Sequence, residues 1–440
     1  MKREKQLKTI LLFLICYFLS IQISLNAQTN YFPPLVGSGW DTISPLTLGW
    51  CPDKIDSLTN FVGSNNSKAF IILKDGKIVV EKYYGTFTKD SLWYWASAGK
   101  TMTSLLTGIA QQEGFLHIDS LTSKYIGQGW TSCPSIKENL ITVRHQLTMT
   151  TGLDDNVFDD DCTIDTSLKY LSDAGARWAY HNAPYTLLDS VIYYATNQTF
   201  QSYFNSKIRN KIGMNGFWFP NGYNNVYYSN ARSFARFGLL LLNKATWNNT
   251  VVLADTNYFH GMTNTSQNMN ESYGYLTWLN GKQSYMLPES QLVFQGSFLS
   301  DAPADLFAAL GKNGQVINVV PSMNLVLIRM GNAPTANAAL PMLLNNQIWQ
   351  KLNTAMCSNA ALINKHVPHK SIVIYPNPVE DLLDLLIDGD VNSYKISQLN
   401  GSVILSGATF PVNVSKLKTG IYFLEFEREK IKYHTKFLKE

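Results

Sequence analysis

The sequence predicts an α+β protein: an antiparallel sheet flanked by helices, with a helical subdomain beside it and a small all-β sandwich at the C-terminus. Strand-like apolar runs lie before and after a long stretch whose apolar spacing is helical. From Ser371 onwards, short strand-like runs alternate with Gly, Asn and Pro. With 440 residues, the chain is long enough for these two folded units.

The composition is that of a globular protein with a nearly neutral body. Hydrophobic residues make up 45% of the chain and charged residues 15%. The formal net charge is +4, but four basic residues and one acidic residue lie within the first eight positions. The rest of the chain is therefore close to neutral, and no nucleic acid partner is expected.

The N-terminus predicts a secretory signal peptide over residues 1–27. A basic start precedes an apolar run from Ile10 to Ile23, and the small residue Ala27 marks the expected cleavage site. This run is short for a membrane span. Cys16 lies in the middle of the run, which argues against a lipid anchor. Residues 28–55 are interpreted as an N-terminal extension.

Four cysteines remain after this cleavage: Cys51, Cys133, Cys162 and Cys357. An even number in an exported chain suggests disulfides, with three possible pairings. Cys51 and Cys357 bracket the large domain, so we predict that they pair and that Cys133 pairs with Cys162. The alternative is buried free thiols.

The large domain, predicted for residues 56–356, begins with a β-hairpin over Ala69–Gly85 that turns at Asp75-Gly76. An amphipathic helix of about four turns follows, starting near Ser97 and stopped by Gly114. Its evidence is the helical spacing of four apolar residues, Met102, Leu105, Leu106 and Ile109.

Helical spacing continues to about Lys244, and strands return over Gln315–Asn332 around a turn at Pro321. Ala336–Met356 predicts a closing helix. Residues 357–370 are interpreted as a linker, and residues 371–440 as the small all-β module.

Ser97 and Lys100, in the stretch YWASAGKTMTSLLTG, are the candidate nucleophile and its base. Residues three apart share one face of a helix, so the two side chains can come within hydrogen-bond distance. A serine hydroxyl is a poor nucleophile until a base removes its proton. Lysine can be that base only when it is neutral, which burial and the positive end of a helix dipole both favour.

The Ser-x-x-Lys pattern alone is not specific. It recurs at Ser415 and Lys418, between strands of the small module. Ser97 could also be an ordinary N-cap, and Lys100 a solvated residue of the first helical turn.

The segment WAYHNAPYTLLDSVI adds Tyr180 and Asn182, a Tyr-x-Asn pair before another apolar helix. Further segments accompany it along the chain: Leu116–Gly127, Ile141–Leu153, Lys211–Phe219, Ser229–Asn243 and Tyr273–Trp278. Their order, from Phe61 to Leu352, resembles the serine hydrolases related to class C β-lactamases, penicillin-binding proteins and 6-aminohexanoate-dimer hydrolase.

This resemblance implies a role for each candidate residue. Ser97 would be the acylated nucleophile, and Lys100 and Tyr180 would share the general-base and general-acid work. Asn182 would hydrogen-bond Lys100 or the substrate. The backbone N–H of Ser97 and another N–H on the strand before Gln315 would form the oxyanion hole. The alternatives are a core aromatic for Tyr180 and a helix cap for Asn182.

The Lys-Thr-Gly motif of these enzymes is replaced here by Ala309-Leu310-Gly311. Gly311 keeps the residue type that lets a substrate approach the backbone. The cation that would bind a substrate carboxylate is missing. Lys312 is close but out of register, and its N–H is the expected second oxyanion donor. We therefore expect a substrate without that carboxylate.

Other clusters carry weaker predictions. Asp154–Cys162 contains five aspartates, which predicts a solvated acidic loop, with calcium binding as the alternative. The histidines lack metal-ligand spacing, so no metal site and no cofactor are predicted, and His181 is interpreted as a wall residue of the pocket. Three tryptophans could line an aromatic pocket or pack in the core: Trp93, Trp95 and Trp178.

The C-terminal segments YPNPVEDLLDLLI, YKISQLNG, LKTGIYFLEF and TKFLKE occur in this order. They resemble the type A C-terminal sorting domain of the bacterial type IX secretion system, over residues 371–440. The resemblance implies the secretion machinery as a partner, and export of a Gram-negative protein across the outer membrane to the cell surface or the medium. The alternative is a carbohydrate-binding or adhesive β-domain.

The sequence therefore predicts a secreted serine hydrolase that cleaves an ester or amide bond through an acyl-enzyme. The expected partner is a small-molecule or short-peptide substrate. One alternative is a β-lactamase, or a D-Ala-D-Ala carboxypeptidase or peptidase. The other is a surface binding scaffold without turnover.

Overall fold

The computed structural model describes residues 30–335, 341–357, 373–386, 391–398, 401–428 and 431–440. The predicted signal peptide, and the linker from residue 358 onwards, lie outside these residues. One large hydrophobic core forms in the N-terminal domain and a separate one in the C-terminal module. The predicted α+β domain followed by an all-β unit is confirmed.

Thirteen strands are described in the large domain: β1 (Ser67–Lys74), β2 (Lys77–Tyr83), β3 (Trp93–Tyr94), β4 (Phe217–Asn221), β5 (Asn224–Ser229), β6 (Thr246–Trp247), β7 (Thr250–Val251), β8 (Trp278–Leu279), β9 (Ser284–Tyr285), β10 (Phe294–Gln295), β11 (Phe307–Gly311), β12 (Gln315–Val320) and β13 (Leu325–Gly331). Six of them form the central sheet, in the order β2-β1-β13-β12-β11-β8, and all its neighbouring pairs are antiparallel. The sheet therefore joins strands from both ends of the domain.

The described helices of the same domain are α1 (Pro52–Ser64), α2 (Gly99–Gln112), α3 (Ser123–Ile126), α4 (Ser135–Glu138), α5 (Val143–Leu147), α6 (Asn182–Thr186), α7 (Leu188–Thr196), α8 (Phe200–Phe204), α9 (Ala231–Leu242), α10 (Thr256–Thr263) and α11 (Met342–Ala355). The predicted hairpin is confirmed, because Asp75 and Gly76 join β1 to β2 with φ of 55° and 78°. Two successive positive φ angles are what a tight two-residue hairpin requires. The predicted strand pair after Gln315 is confirmed as β12 and β13.

Helices cover both faces of the sheet. Gly238 of α9 lies so close to β13 that an added Cβ would be 2.5 Å from Val326 Cγ1, and it also meets Ile317. Asn345 of α11 exchanges side-chain hydrogen bonds of 2.6 and 3.0 Å with Asn318. Because Ile317 and Asn318 are consecutive on β12, they point to opposite faces. The sheet is therefore the middle layer of three.

Helix α2, which begins two residues after Ser97, is buried on all sides. Every residue from Gly99 to Ala110 is buried, so the amphipathic helix expected from the sequence is a central core helix instead. Small polar residues make this possible, since their hydroxyls find backbone acceptors. The Thr101 hydroxyl donates to the Leu276 carbonyl at 2.8 Å.

One predicted disulfide is confirmed. Cys51 and Cys357 are joined, and they connect the residue before α1 to the chain just after α11. The N–H of Cys51 also donates to the carbonyl of Ala355 at 2.9 Å. The two ends of the large domain are thus held together covalently.

The other predicted disulfide is wrong, because Cys133 and Cys162 are free thiols. The Cys133 thiol faces the Leu168 carbonyl at 3.8 Å. The Cys162 thiol instead interacts with the side chains of Ser167 and Tyr223. These two contacts, the one with Ser167 more strongly, lower the pKa of the thiol. Each sulfur therefore has its own polar partner.

We expect the double variant Cys51→Ala/Cys357→Ala to unfold at a lower temperature than the wild type. The bond joins residues 306 positions apart, and such a constraint on the unfolded chain contributes on the order of 4 kcal/mol. Tm should fall by roughly 8 °C in calorimetry. The matched control is Cys133→Ala/Cys162→Ala, for which a smaller shift is expected. Equal shifts in the two variants would contradict the prediction.

The C-terminal module consists of short strands: β14 (Val373–Tyr375), β15 (Leu382–Leu386), β16 (Ser393–Ser397), β17 (Val403–Gly407), β18 (Val412–Asn413), β19 (Gly420–Arg428) and β20 (Ile431–Lys439). They form two sheets, β14-β15-β18 and β17-β16-β19-β20, around one core. Phe423 of β19 packs on Phe294 of β10, with ring centroids 4.5 Å apart. Within the described residues, no helix has the length and apolar character needed to span a membrane.

Candidate active site

Ser97 lies on a sharp turn immediately before α2. The turn is anchored by the buried indole of Trp95, whose Nε1 donates to Ser229 Oγ at 2.8 Å. Ala96 then adopts a left-handed φ of 46°, which costs a non-glycine residue about 1–2 kcal/mol. The residues from Ala96 to Ala98 form a 3₁₀ turn, and Ser97 makes no N-cap hydrogen bond to α2. The N-cap interpretation of Ser97 is therefore wrong.

Lys100 faces Ser97 from the first turn of α2. Its Nζ donates to Ser97 Oγ at 3.0 Å, and the residue is only 4% exposed, so the solvated alternative is also wrong. Nζ lies 4.2 Å from the ring centroid of Tyr185 and 5.1 Å from that of Tyr180. Burial lowers the pKa of Lys100 to about 8, although Asp161 and Asp160 act in the opposite direction. A substantial fraction of this amine is therefore neutral near pH 8.

Tyr180, in the loop before α6, and Asn182, the first residue of α6, border the same space as Ser97 and Lys100. Burial raises the pKa of the Tyr180 hydroxyl, and an interaction with Ser97 partly offsets this effect. The Nδ2 of Asn182 donates to Asp160 Oδ2 at 2.9 Å, rather than to Lys100. The Oδ1 of Asn182 is buried and has no hydrogen-bond partner among the described residues.

Gly311 ends strand β11 beside the serine turn, and Lys312 begins the 3₁₀ turn that follows. A Cβ on Gly311 would lie 2.4 Å from the Trp95 carbonyl oxygen and 3.1 Å from Ser97 N. Glycine is therefore required at this position because β11 passes close to the backbone of the serine turn. The sequence had instead suggested that the glycine lets a substrate approach the backbone. Lys312 follows directly, and it lines the same cavity as Ser97.

These residues line one cavity of about 450 Å³. All six candidate residues from the sequence border it: Ser97, Lys100, Tyr180, Asn182, Gly311 and Lys312. Sequence reasoning missed several other residues in its wall: Asp160, Asp161, Tyr185, Trp278, Glu289 and Phe298. The ring of Trp278 stacks on Tyr180 and on Phe298, with centroids 5.8 and 5.0 Å apart. One side of the cavity is therefore aromatic and another is acidic.

The tryptophans and the histidine singled out from the sequence do not line this cavity. Trp95 and Trp178 are buried core residues, and Trp93 pairs with Ser229 in a small sheet. His181 is only 2% exposed, and burial lowers its pKa to about 4. Because it is enclosed in the protein and does not border the cavity, the pocket-wall interpretation is wrong.

Comparison with known proteins agrees with this geometry. Residues 63–344 match the family described as Beta-lactamase, which is more than half of the chain. The chain belongs to the β-lactamase family. All six candidate residues fall inside the matched segment. The family has a serine hydrolase fold, as the resemblance from the sequence had suggested. Among curated proteins, none is significantly similar to the sequence.

Solved structures share the fold of this β-lactamase family domain. They include a protein from Bacteroides dorei with the provisional name β-lactamase (16% identity, TM-score 0.56, 70% of this chain and 99% of that chain). Another, from Bacillus anthracis, is provisionally named 6-aminohexanoate-dimer hydrolase (16%, 0.55, 74% and 90%). A third is a penicillin-binding protein homologue from Caulobacter crescentus (14%, 0.55, 70% and 99%). At these identities, the similarity establishes the fold alone.

The C-terminal module also has a match. Residues 373–440 match the family described as Secretion system C-terminal sorting domain. This match confirms the resemblance inferred from the sequence and indicates export by type IX secretion.

Proposed function

We propose that this protein hydrolyses an ester or amide bond through an acyl-enzyme formed on Ser97. The observation that carries the proposal is the buried amine of Lys100, 3.0 Å from Ser97 Oγ, with a pKa lowered to about 8. A base with a pKa near the working pH is the most efficient proton acceptor. A buried lysine with no chemical task would be a costly core residue.

In acylation, Ser97 Oγ forms a bond to the substrate's carbonyl carbon while its proton passes to the neutral Nζ of Lys100. The carbonyl π electrons move to the oxygen. The bond to the leaving group then breaks, and that group receives a proton from Lys100 or from Tyr180. In deacylation, water attacks the ester in the same way, which releases the carboxylic acid and restores Ser97.

The oxyanion hole would consist of two backbone N–H groups, that of Ser97 and that of Lys312, directly after β11. The close approach of Gly311 to Ser97 N supports this arrangement, because it brings the end of β11 beside the serine turn. Two backbone donors in a partly enclosed cavity stabilise the charge that develops on the carbonyl oxygen.

Gly311→Ala is expected to lower kcat/KM by about 100-fold, the usual cost of a displaced oxyanion donor. The new Cβ would meet backbone atoms, which cannot turn aside as a flexible side chain can, so β11 and the serine turn must separate. Ester hydrolysis and Tm should both be measured. Gly39→Ala is the matched control, since a Cβ there meets nothing within 4 Å. A normal kcat/KM in Gly311→Ala would contradict the arrangement.

The substrate is proposed to be an ester or amide without the carboxylate that β-lactams carry. Ala309 stands where the resemblance would place a lysine, and it is a buried residue of β11. Turnover of a chromogenic cephalosporin would favour the β-lactamase alternative instead. We also infer that the sorting domain delivers the enzyme to the cell surface or the medium of a Gram-negative bacterium, where small external substrates are available.

Labelling of the mature full-length chain with a fluorophosphonate probe tests the nucleophile. We expect an adduct on Ser97 in mass spectrometry, absent from Ser97→Ala and retained in Ser415→Ala. Ser415 is the matched control because it has the same Ser-x-x-Lys spacing, but is exposed and bonds Asn413. A folded protein that neither reacts with the probe nor hydrolyses p-nitrophenyl acetate would favour the binding scaffold.

A further inference from the structure

One side of the small sheet β3-β5-β4 is aromatic and open to solvent. Tyr94 and Phe217 are both paired with Tyr228, and Phe219 lies two residues after Phe217 on β4. Paired residues, and alternate residues of one strand, point to the same side of a sheet. Phe217 and Phe219 are 44% and 53% exposed. We call these four rings, Tyr94, Phe217, Phe219 and Tyr228, the aromatic face.

The packing of the domain does not require this face. The opposite side of the same sheet carries Trp218 and Tyr227, which are buried and whose rings lie 5.2 Å apart. These two residues anchor the sheet in the core. A group of large apolar side chains left in solvent usually marks a binding surface.

The aromatic face continues into the cavity that contains Ser97. Three further residues on the same side of β4 and β5 line that cavity: Asn221, Asn224 and Val226. On the third strand, Tyr94 lies three residues before Ser97. At about 3.3 Å per residue, β4 spans about 13 Å from Phe217 to Asn221. The face and the cavity therefore form one continuous surface with room for an elongated substrate.

The junction between the face and the cavity is polar but uncharged. Asn224 Oδ1 accepts a hydrogen bond from Thr186 Oγ1 at 2.7 Å, and Asn225 Nδ2 donates to Asp189 Oδ2 at 2.9 Å. These bonds hold β5 against α6 and α7, so the surface is formed before a ligand binds. The chain has no charged residue from position 212 to position 231, which includes both β4 and β5.

The composition of this surface selects among classes of ligand. A charged chain would find no opposite charge on β4 or β5. A purely apolar chain would cover the exposed amide of Asn221 without giving it a hydrogen bond, which is unfavourable. A neutral sugar offers C–H groups to the rings, and hydroxyls that donate to and accept from the amides.

We propose that the substrate is an ester of a neutral oligosaccharide, whose sugar units lie on the aromatic face while the ester carbonyl lies at Ser97. This inference rests on the hydrolase function proposed above. The acyl group is transferred to Ser97 Oγ, and the sugar hydroxyl leaves with a proton from Lys100 or Tyr180. Water then cleaves the acyl-enzyme, so the products are a carboxylic acid and the deacylated sugar.

The test uses substrates that differ only in the part that would lie on the aromatic face. Singly O-acetylated xylotetraose, mannotetraose and cellotetraose are each compared with the acetylated methyl glycoside of the same sugar. The two esters of a pair have the same reacting bond, so the ratio of their kcat/KM values reports binding of the remaining sugars. Decyl acetate represents an apolar chain, and the release of acetate is measured for every substrate.

For the wild type, at least one tetrasaccharide should exceed its methyl glycoside about tenfold or more in kcat/KM. In Phe217→Ala/Phe219→Ala, this ratio should fall to about one. Tyr193→Ala/Tyr194→Ala is the matched control, since these residues also expose two neighbouring rings but do not border the cavity. Its ratio should change less than about twofold.

A binding measurement that needs no turnover keeps this proposal separate from the hydrolase function. Ser97→Ala is titrated with the acetylated tetrasaccharides in a calorimeter. The Kd of the preferred one should rise about tenfold when Phe217 and Phe219 are also replaced by alanine.

The outcomes separate the two proposals. Ratios near one for all three sugars in the wild type would refute the oligosaccharide site, and hydrolysis of p-nitrophenyl acetate would leave the hydrolase function standing. A preference for decyl acetate that disappears in Phe217→Ala/Phe219→Ala would assign the face to an apolar chain and refute the sugar. If the tetrasaccharides bind but no ester is hydrolysed and Ser97 is not labelled, the sugar site stands and the hydrolase function fails. If they neither bind nor react, both proposals fail.

Discussion

Replacing Ser97 by alanine is expected to lower kcat/KM for an activated ester by about 10⁴-fold or more. The variant keeps the cavity, the lysine and the backbone donors, but no atom remains to form the acyl-enzyme. Because the side chain loses only one oxygen on a turn held by Trp95 and Ala96, Tm should stay close to that of the wild type. Initial rates with a p-nitrophenyl ester, together with thermal unfolding, measure both effects.

Ser415→Ala controls for the motif itself. Its serine and lysine have the same spacing, yet the Ser415 hydroxyl donates to Asn413 Oδ1 at 2.6 Å on an exposed loop. This variant should retain the wild-type rate. If Ser97→Ala retained more than a tenth of the activity, another group would have to be the nucleophile.

Much of the site could be predicted because its residues lie in short local patterns. Ser97 and Lys100 occupy one turn, and Tyr180 and Asn182 are two residues apart, so each pair can be recognised from spacing. The hairpin at Asp75-Gly76 is equally local, since two residues with positive φ determine it.

The acidic wall could not be predicted in the same way. Asp160 reaches the cavity because its loop is held by Asn182, a contact across 22 positions that no periodicity reports. A run of aspartates usually indicates a solvated loop, but this contact, together with the Ala183 N–H that donates to the Asp160 carbonyl at 2.8 Å, makes it part of the site. Glu289 and Phe298 come from a still more distant segment, which has no regular pattern.

The burial of α2 and the absence of a Cys133–Cys162 disulfide were both missed because tertiary contacts decide them. A helix with threonines on its polar face predicts a surface position, but the hydroxyls of Thr101 and Thr107 bond to backbone carbonyls inside the core. The Cys133–Cys162 disulfide was predicted only because these two cysteines remain once Cys51 is paired with Cys357. Their polar partners are set by the surrounding loops, so an even count of cysteines did not decide their pairing.

Lys100→Met is expected to change activity and stability in opposite directions. Loss of the base should lower kcat/KM by about 10³-fold. Stability at pH 7 should rise by about 3 kcal/mol, because the pKa of the buried amine is depressed from 10.5 to about 8 and each pKa unit corresponds to about 1.4 kcal/mol. Methionine fills a similar volume without a charge to desolvate.

The sign of the pH dependence follows from proton binding. Between pH 8 and 10.5, the unfolded chain keeps a proton on Lys100 that the folded protein has released, so wild-type stability rises with pH in this window. Below pH 8, both states are protonated and the full penalty of burial applies. The stability gain in Lys100→Met should therefore be greatest below pH 8 and should disappear above about pH 10.5.

The same titration governs catalysis in the wild type. Because the free enzyme needs a neutral Lys100, kcat/KM should fall about tenfold for each pH unit below 8. Denaturant unfolding at pH 7 and pH 10, with pH–rate profiles of the wild type, measures both quantities. Lys54→Met is the matched control, since its side chain is 55% exposed and should alter neither activity nor the pH dependence. A Lys100→Met variant that is less stable than the wild type at pH 7 would show that the folded state keeps this amine charged and well paired, and Lys100 could then not be the base.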